Sequence, residues 1–135
     1  MWLSRLPRMP IQRVLPEELR ESPLYSHVVR TGNLVFIAGQ VAQDARGEVV
    51  GPGDFPAQAA QVFENLARAL ASVGATLENL VKITIYITDP RFRDPLREVN
   101  RRYLPTDQPT STLLVVAGLA RPEYLIEIDA VAALD

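Results

Sequence analysis

With 135 residues, 47% of them hydrophobic and a formal charge of −2, the chain fits one domain over residues 1–135 with a single core. A polyphosphate partner is disfavoured because nucleic-acid binding draws on clustered Lys and Arg, so no nucleic acid is expected. The absence of cysteine excludes disulfides and thiolate sites, and a single histidine, His27, without a carboxylate cluster leaves no expectation of a metal or cofactor.

The start, residues 1–10, carries no long apolar segment and no cleavage pattern of a secretory signal. The longest apolar stretch, Leu113 to Ala120, is far below the roughly 20 residues of a bilayer span, so a cytoplasmic protein without a membrane partner is expected. Residues 1–8 read as an N-terminal arm, and Met9 is an alternative initiator. Ile11 to Leu15 then alternates apolar and polar residues, the period of a strand with one wet face. Tyr25 to Arg30 and Leu34 to Ala38 flank Gly32-Asn33, which predicts a hairpin. Asp44 to Val50 reads as a turn with a short strand after it.

Asp54 is placed to cap a helix with Pro56 in its first turn. Its apolar positions Ala59, Val62, Phe63, Leu66, Ala67, Leu70 and Val73 recur at helical spacing, and Gly74 is expected to close it at C′. Leu80 to Thr88 is a strand rich in β-branched residues, with Val81, Ile83, Ile85 and Ile87 expected on one face. A second helix is predicted from about Arg93 to Leu104, cut by Pro105, with Leu96, Val99, Asn100 and Tyr103 on one side. Strands at Ser111 to Ala117 and Tyr124 to Ala132 finish the chain.

The order β-β-β-α-β-α-β-β contains two crossovers, and right-handed crossovers put both helices on one face of a single sheet, an α+β fold. The other face, expected to carry Leu114, Val116, Ile126 and Ile128, then has no cover of its own. An apolar face of that size is rarely left in water, so burial against copies of the same chain is predicted.

In this order the residues resemble the RidA/YjgF family, also called L-PSP endoribonucleases or imine deaminases. The resemblance rests on Tyr25-Ser26-His27, Gly32 to Gln40, Gly47 to Val50, the helix with Asn65-Leu66, Tyr86 to Asp89, Val99-Asn100, Pro109-Thr110-Ser111 and Leu125 to Ala130. It implies a chorismate-mutase-like homotrimer whose inter-subunit clefts bind a small metabolite and hydrolyse enamines or imines. It further implies that Glu127 positions the attacking water, and that Tyr25, Ala38, Gly39, Asn100, Ser111 and Leu113 contact the substrate. Active members hold the substrate carboxylate with an arginine two residues after the proline; here that position is Ser111, which offers one hydrogen bond and no charge.

Each of these residues also has a plainer reading. Glu127 shares a strand face with Asp129 and could be a solvated carboxylate, Tyr25 a packing residue, and Asn100 a helix-end amide. His27 is expected to be a strand residue with a satisfied ring rather than a base. Arg121, in the loop before the last strand, could stand in for the missing guanidinium. Two functions stay open: a deaminating hydrolase, or a non-catalytic metabolite-binding module that lost its reaction with the arginine, with a ribonuclease or translation inhibitor ranked last.

Overall fold

The computed structural model describes residues 10–135, so the arm expected over residues 1–8 and Met9 lie outside the described residues. Six strands, β1 (Ile11–Val14), β2 (Val28–Thr31), β3 (Leu34–Val41), β4 (Leu80–Ile87), β5 (Thr110–Val115) and β6 (Ile126–Ala133), form one sheet in the order β1-β2-β3-β6-β4-β5. Two helices, α1 (Phe55–Ala71) and α2 (Arg93–Tyr103), complete the predicted α+β order. β4 and β5 run parallel and every other pair is antiparallel. Among the described residues no helix is long and apolar enough to cross a membrane.

Local chemistry explains the elements. β2 and β3 meet across Gly32-Asn33, and Gly32 takes φ 59°, the left-handed conformation that a two-residue hairpin loop demands of its first central residue. Asp54 caps α1 by accepting from the Ala57 N–H at 3.1 Å. The helix ends earlier than its pattern suggests: Ser72 is the C-cap, and Val73 and Gly74 continue only as tighter turns bonded to the Leu70 and Ala71 carbonyls. The short strand expected after Gly47 reduces to one isolated bridge, Gln43 to Val49. The Asp44 carboxylate organises that turn by accepting from the Arg46 and Glu48 N–H groups at 2.9 and 3.0 Å.

Both helices lie on one face of the sheet. α1 presses Ala59, Val62, Phe63, Leu66 and Leu70 onto Val35, Ile37, Ile83 and Ile85, all buried. Burial of a side chain such as Phe63 or Leu66 stabilises the fold by about 1.5–3 kcal/mol each. α2 adds Leu96 and Val99, and Tyr103 stacks on Phe63 with ring centroids 5.0 Å apart.

Two face assignments are corrected by the structure. Ile126 and Ile128 lie under the helices with no exposed surface, so they are core rather than part of the uncovered face. Val81 does not share a face with Ile83, Ile85 and Ile87: a register shift between Leu80 and Lys82 resets the alternation, burying Leu80 and leaving Val81 44% exposed. The uncovered face carries Leu34, Phe36 and Leu114, each 40–46% exposed, around a polar centre of Tyr86, Glu127 and Asp129. Val116 lies just past β5, partly buried.

Candidate functional site

A second register shift, between Ile37 and Gln40, leaves Ala38 and Gly39 out of the pairing with β6 in the middle of β3. Bulges of this kind bend a strand and re-aim its side chains. Here the bend opens the surface beside Glu127, which pairs with Val41 on one side and Tyr86 on the other. The resulting cleft of about 470 Å³ is walled by Tyr25, Ala38, Gly39, Arg121, Tyr124 and Glu127. Gly39 leaves room for its neighbour: a Cβ there would run into the Glu127 carboxylate, which would have to swing aside. Gly39→Ala is therefore expected to displace the Glu127 side chain within the cleft. A crystal structure of the variant checks the displacement directly.

Glu127 is partly buried, and its carboxylate makes no hydrogen bond to the described residues. Burial first, then the charge of Asp129 two residues along the same face, push its pKa above the usual carboxylate range. Asp129 is itself anchored by the Tyr86 hydroxyl, which donates to it at 2.9 Å; that bond is the main cause of a raised Tyr86 pKa. The site thus holds one anchored acid and one unengaged acid with heightened proton affinity. Such an acid can take a proton from water and return it nearer to neutral pH than an ordinary glutamate.

Three buried amides hold the walls. Gln58, on α1, donates to the Gly51 and Glu123 carbonyls at 3.1 and 2.8 Å and accepts from the Leu125 N–H at 2.9 Å, fixing the segment that carries Arg121 and Tyr124. Asn65 donates to the Val41 and Gln43 carbonyls at 3.0 and 2.9 Å, holding the chain beyond the bulge. Gln40 donates to the Ala38 carbonyl and to His27 Nδ1, both at 3.1 Å. The other nitrogen of His27 faces the Arg20 carbonyl, so Nε2 carries the proton and the ring is satisfied on both sides, as expected of a structural histidine. Tyr25 packs edge-on against that ring at 5.4 Å.

The predicted site residues fall into two groups. Tyr25, Ala38, Gly39 and Glu127 share the cleft, and Arg121 joins them. Ser111 and Leu113 do not. Their register with Ile83 and Ile85 turns them to the helix side of the sheet, away from Glu127, on an exposed edge strand. Asn100 lines a separate depression with Arg97, Leu104 and Gln108, and its buried Oδ1 has no partner among the described residues. A buried acceptor without a donor is costly. Among the described residues no group of three His, Asp or Glu is placed to hold a metal ion.

Comparison with known proteins matches residues 17–134 to the family described as Endoribonuclease L-PSP. A RutC family protein of Pyrococcus horikoshii is 36% identical over 109 residues, covering 80% of this chain and 85% of that protein. The mitochondrial protein mmf2 of Schizosaccharomyces pombe is 37% identical over 112 residues, covering 81% and 86%. The solved structure of RidA from the Antarctic bacterium Psychrobacter sp. shares the fold at a TM-score of 0.85 and 30% identity, over 91% of this chain and 99% of that one.

Proposed function

Since the chain belongs to the Endoribonuclease L-PSP family, the RidA/YjgF proteins, we propose that it is a homotrimer whose inter-subunit clefts bind a small metabolite and hydrolyse an enamine or imine. The observation that carries this reading is Glu127, a partly buried carboxylate with raised pKa, no hydrogen bond to the described residues and an open cleft in front of it. In the reaction, water adds to the carbon of the C=N bond while Glu127 takes a proton from it. That proton passes to nitrogen, giving a carbinolamine; Glu127 then moves the carbinolamine hydroxyl proton to nitrogen as the C–N bond breaks, and carbonyl compound and ammonia leave. The test is imine hydrolysis, with the imine generated by an amino-acid oxidase and trapped by semicarbazide. Slower formation of the semicarbazone on adding this protein supports the reading, and no effect on any of several imines refutes it.

The trimer is supported by the division of the site. Glu127 and Tyr25 lie on one side of the sheet while Asn100, Ser111 and Leu113 lie elsewhere, so a cleft using both groups needs a second protomer. The half-exposed Leu34, Phe36 and Leu114 provide an apolar surface for that contact. Phe36→Asp places a charge in this surface. The expected result is a fall from three protomers to one in mass photometry; a wild-type protein of single-protomer mass would overturn the assembly.

A second reading, a metabolite-binding module without turnover, is favoured by one observation: Ser111 brings no charge to the position where active members carry arginine. A ribonuclease is poorly supported, since the net charge is −2 and Arg121 is the single cation in the cleft wall among the described residues.

A further inference from the structure

We propose that Arg121 is the carboxylate anchor of this cleft, so that the protomer supplying Glu127 also supplies the cation that orients the substrate. The inference rests on the reading of the cleft as a substrate site. It adds the residue that holds the charged end of the ligand while Glu127 faces the reacting carbon.

Arg121 sits in the connection between β5 and β6, in the same wall as Tyr25 and Glu127. Its guanidinium carbon lies 6.0 Å from the Tyr124 ring centroid, within reach of a cation–π attraction. That ring is a fixed platform: Tyr124 is only 4% exposed, and its hydroxyl meets the Gln43 side chain at 3.3 Å. The one hydrogen bond of the guanidinium runs to the Gly47 carbonyl at 3.5 Å, long enough to be weak. The ion pairs among the described residues involve Arg68, Arg91, Arg97 and Arg101, so Arg121 has no carboxylate partner there. An arginine steadied by a ring yet not neutralised keeps most of its five donors for a ligand.

The charges of the cleft lead to the same assignment. Glu127 and Asp129 share one face, so a further anion entering beside them is repelled unless a cation compensates. Arg121 is the cation available in that wall, and the cleft's volume suits a small molecule. A planar guanidinium can also grip a carboxylate through two parallel bonds, which fixes orientation as well as affinity.

The test compares pyruvate with its neutral amide, pyruvamide, as ligands of the full-length protein by calorimetry, alongside imine hydrolysis. Arg121→Gln is expected to weaken pyruvate about tenfold to a hundredfold while leaving pyruvamide unchanged, with Arg121→Lys recovering part of the loss. Equal loss for both ligands, no loss for either, or a wild-type protein that binds the amide as well as the acid overturns the proposal. The two readings fail separately. Imine hydrolysis that persists with an unchanged preference for acids in Arg121→Gln sinks the anchor and leaves the enzyme standing. Selective, Arg121-dependent binding of pyruvate without hydrolysis of any imine sinks the enzyme and leaves the anchor.

Discussion

Glu127→Gln is expected to lower imine hydrolysis by about 10²–10⁴-fold, the usual contribution of a positioned acid–base group, with the oligomer's mass unchanged. Glutamine keeps the size and one acceptor but cannot carry a proton back and forth. The pH dependence supplies a second readout. A base works only when ionised, so activity should fall as pH drops through the raised pKa of Glu127. Asp129→Asn removes the neighbouring charge yet keeps an acceptor for the Tyr86 hydroxyl, so the acid limb should move to lower pH. Stability should respond in the opposite sense to activity. A folded-state pKa raised above the unfolded value, about 4.3, adds stability that is fully present below that value and lost as pH rises through the folded one. Glu127→Gln should therefore raise the urea midpoint at neutral pH, with the gain disappearing in acid. A wild-type rate in Glu127→Gln would refute its catalytic role.

Gln58→Leu is expected to destabilise the fold strongly, costing about 2 kcal/mol or more in urea unfolding at fixed protein concentration. Leucine leaves the Glu123 carbonyl and the Leu125 N–H without their partner, while the Gly51 carbonyl keeps the Asp54 N–H at 2.9 Å, and each buried group so orphaned costs roughly 1–3 kcal/mol. The damage should extend to function, because the segment released carries Arg121 and Tyr124 toward Glu127. A loss below about 1 kcal/mol would mean that water reaches these groups and replaces the amide.

The fold was legible because its strands and helices carry clean periods: the Ile-rich run of β4, the stripe along α1 and the Gly-Asn hairpin each specify one local structure. Faces were harder to read. Alternation along β4 is broken by the shift between Leu80 and Lys82, and a break of one residue reverses every assignment before it, as it did for Val81. Ile126 and Ile128 were placed on the open face because alternation separates two sets of residues without saying which set the helices cover. Of the site, Glu127 was visible from its strand and from the family resemblance. Gln58 was overlooked and Asn65 counted only toward the resemblance, although both fall on the apolar stripe of α1 among Phe55, Ala59, Val62 and Leu66, where an amide signals a buried bond to backbone. The gathering of Arg121 with Tyr25 and Glu127 depends on the bulge and on the β5–β6 connection, which no local pattern announces.

The amides under α1 have a consequence for how the molecule can vary. Oily side chains tolerate several arrangements of similar quality, so a helix seated by them alone can slide or rock when its neighbours change size. Gln58 and Asn65 permit no such drift, because their bonds reach particular carbonyls of Gly51, Val41, Gln43 and Glu123. They act as alignment pins. Surrounding leucines and valines are free to be exchanged over generations at some expense in robustness, while the spacing between Tyr25, Arg121 and Glu127 stays constant.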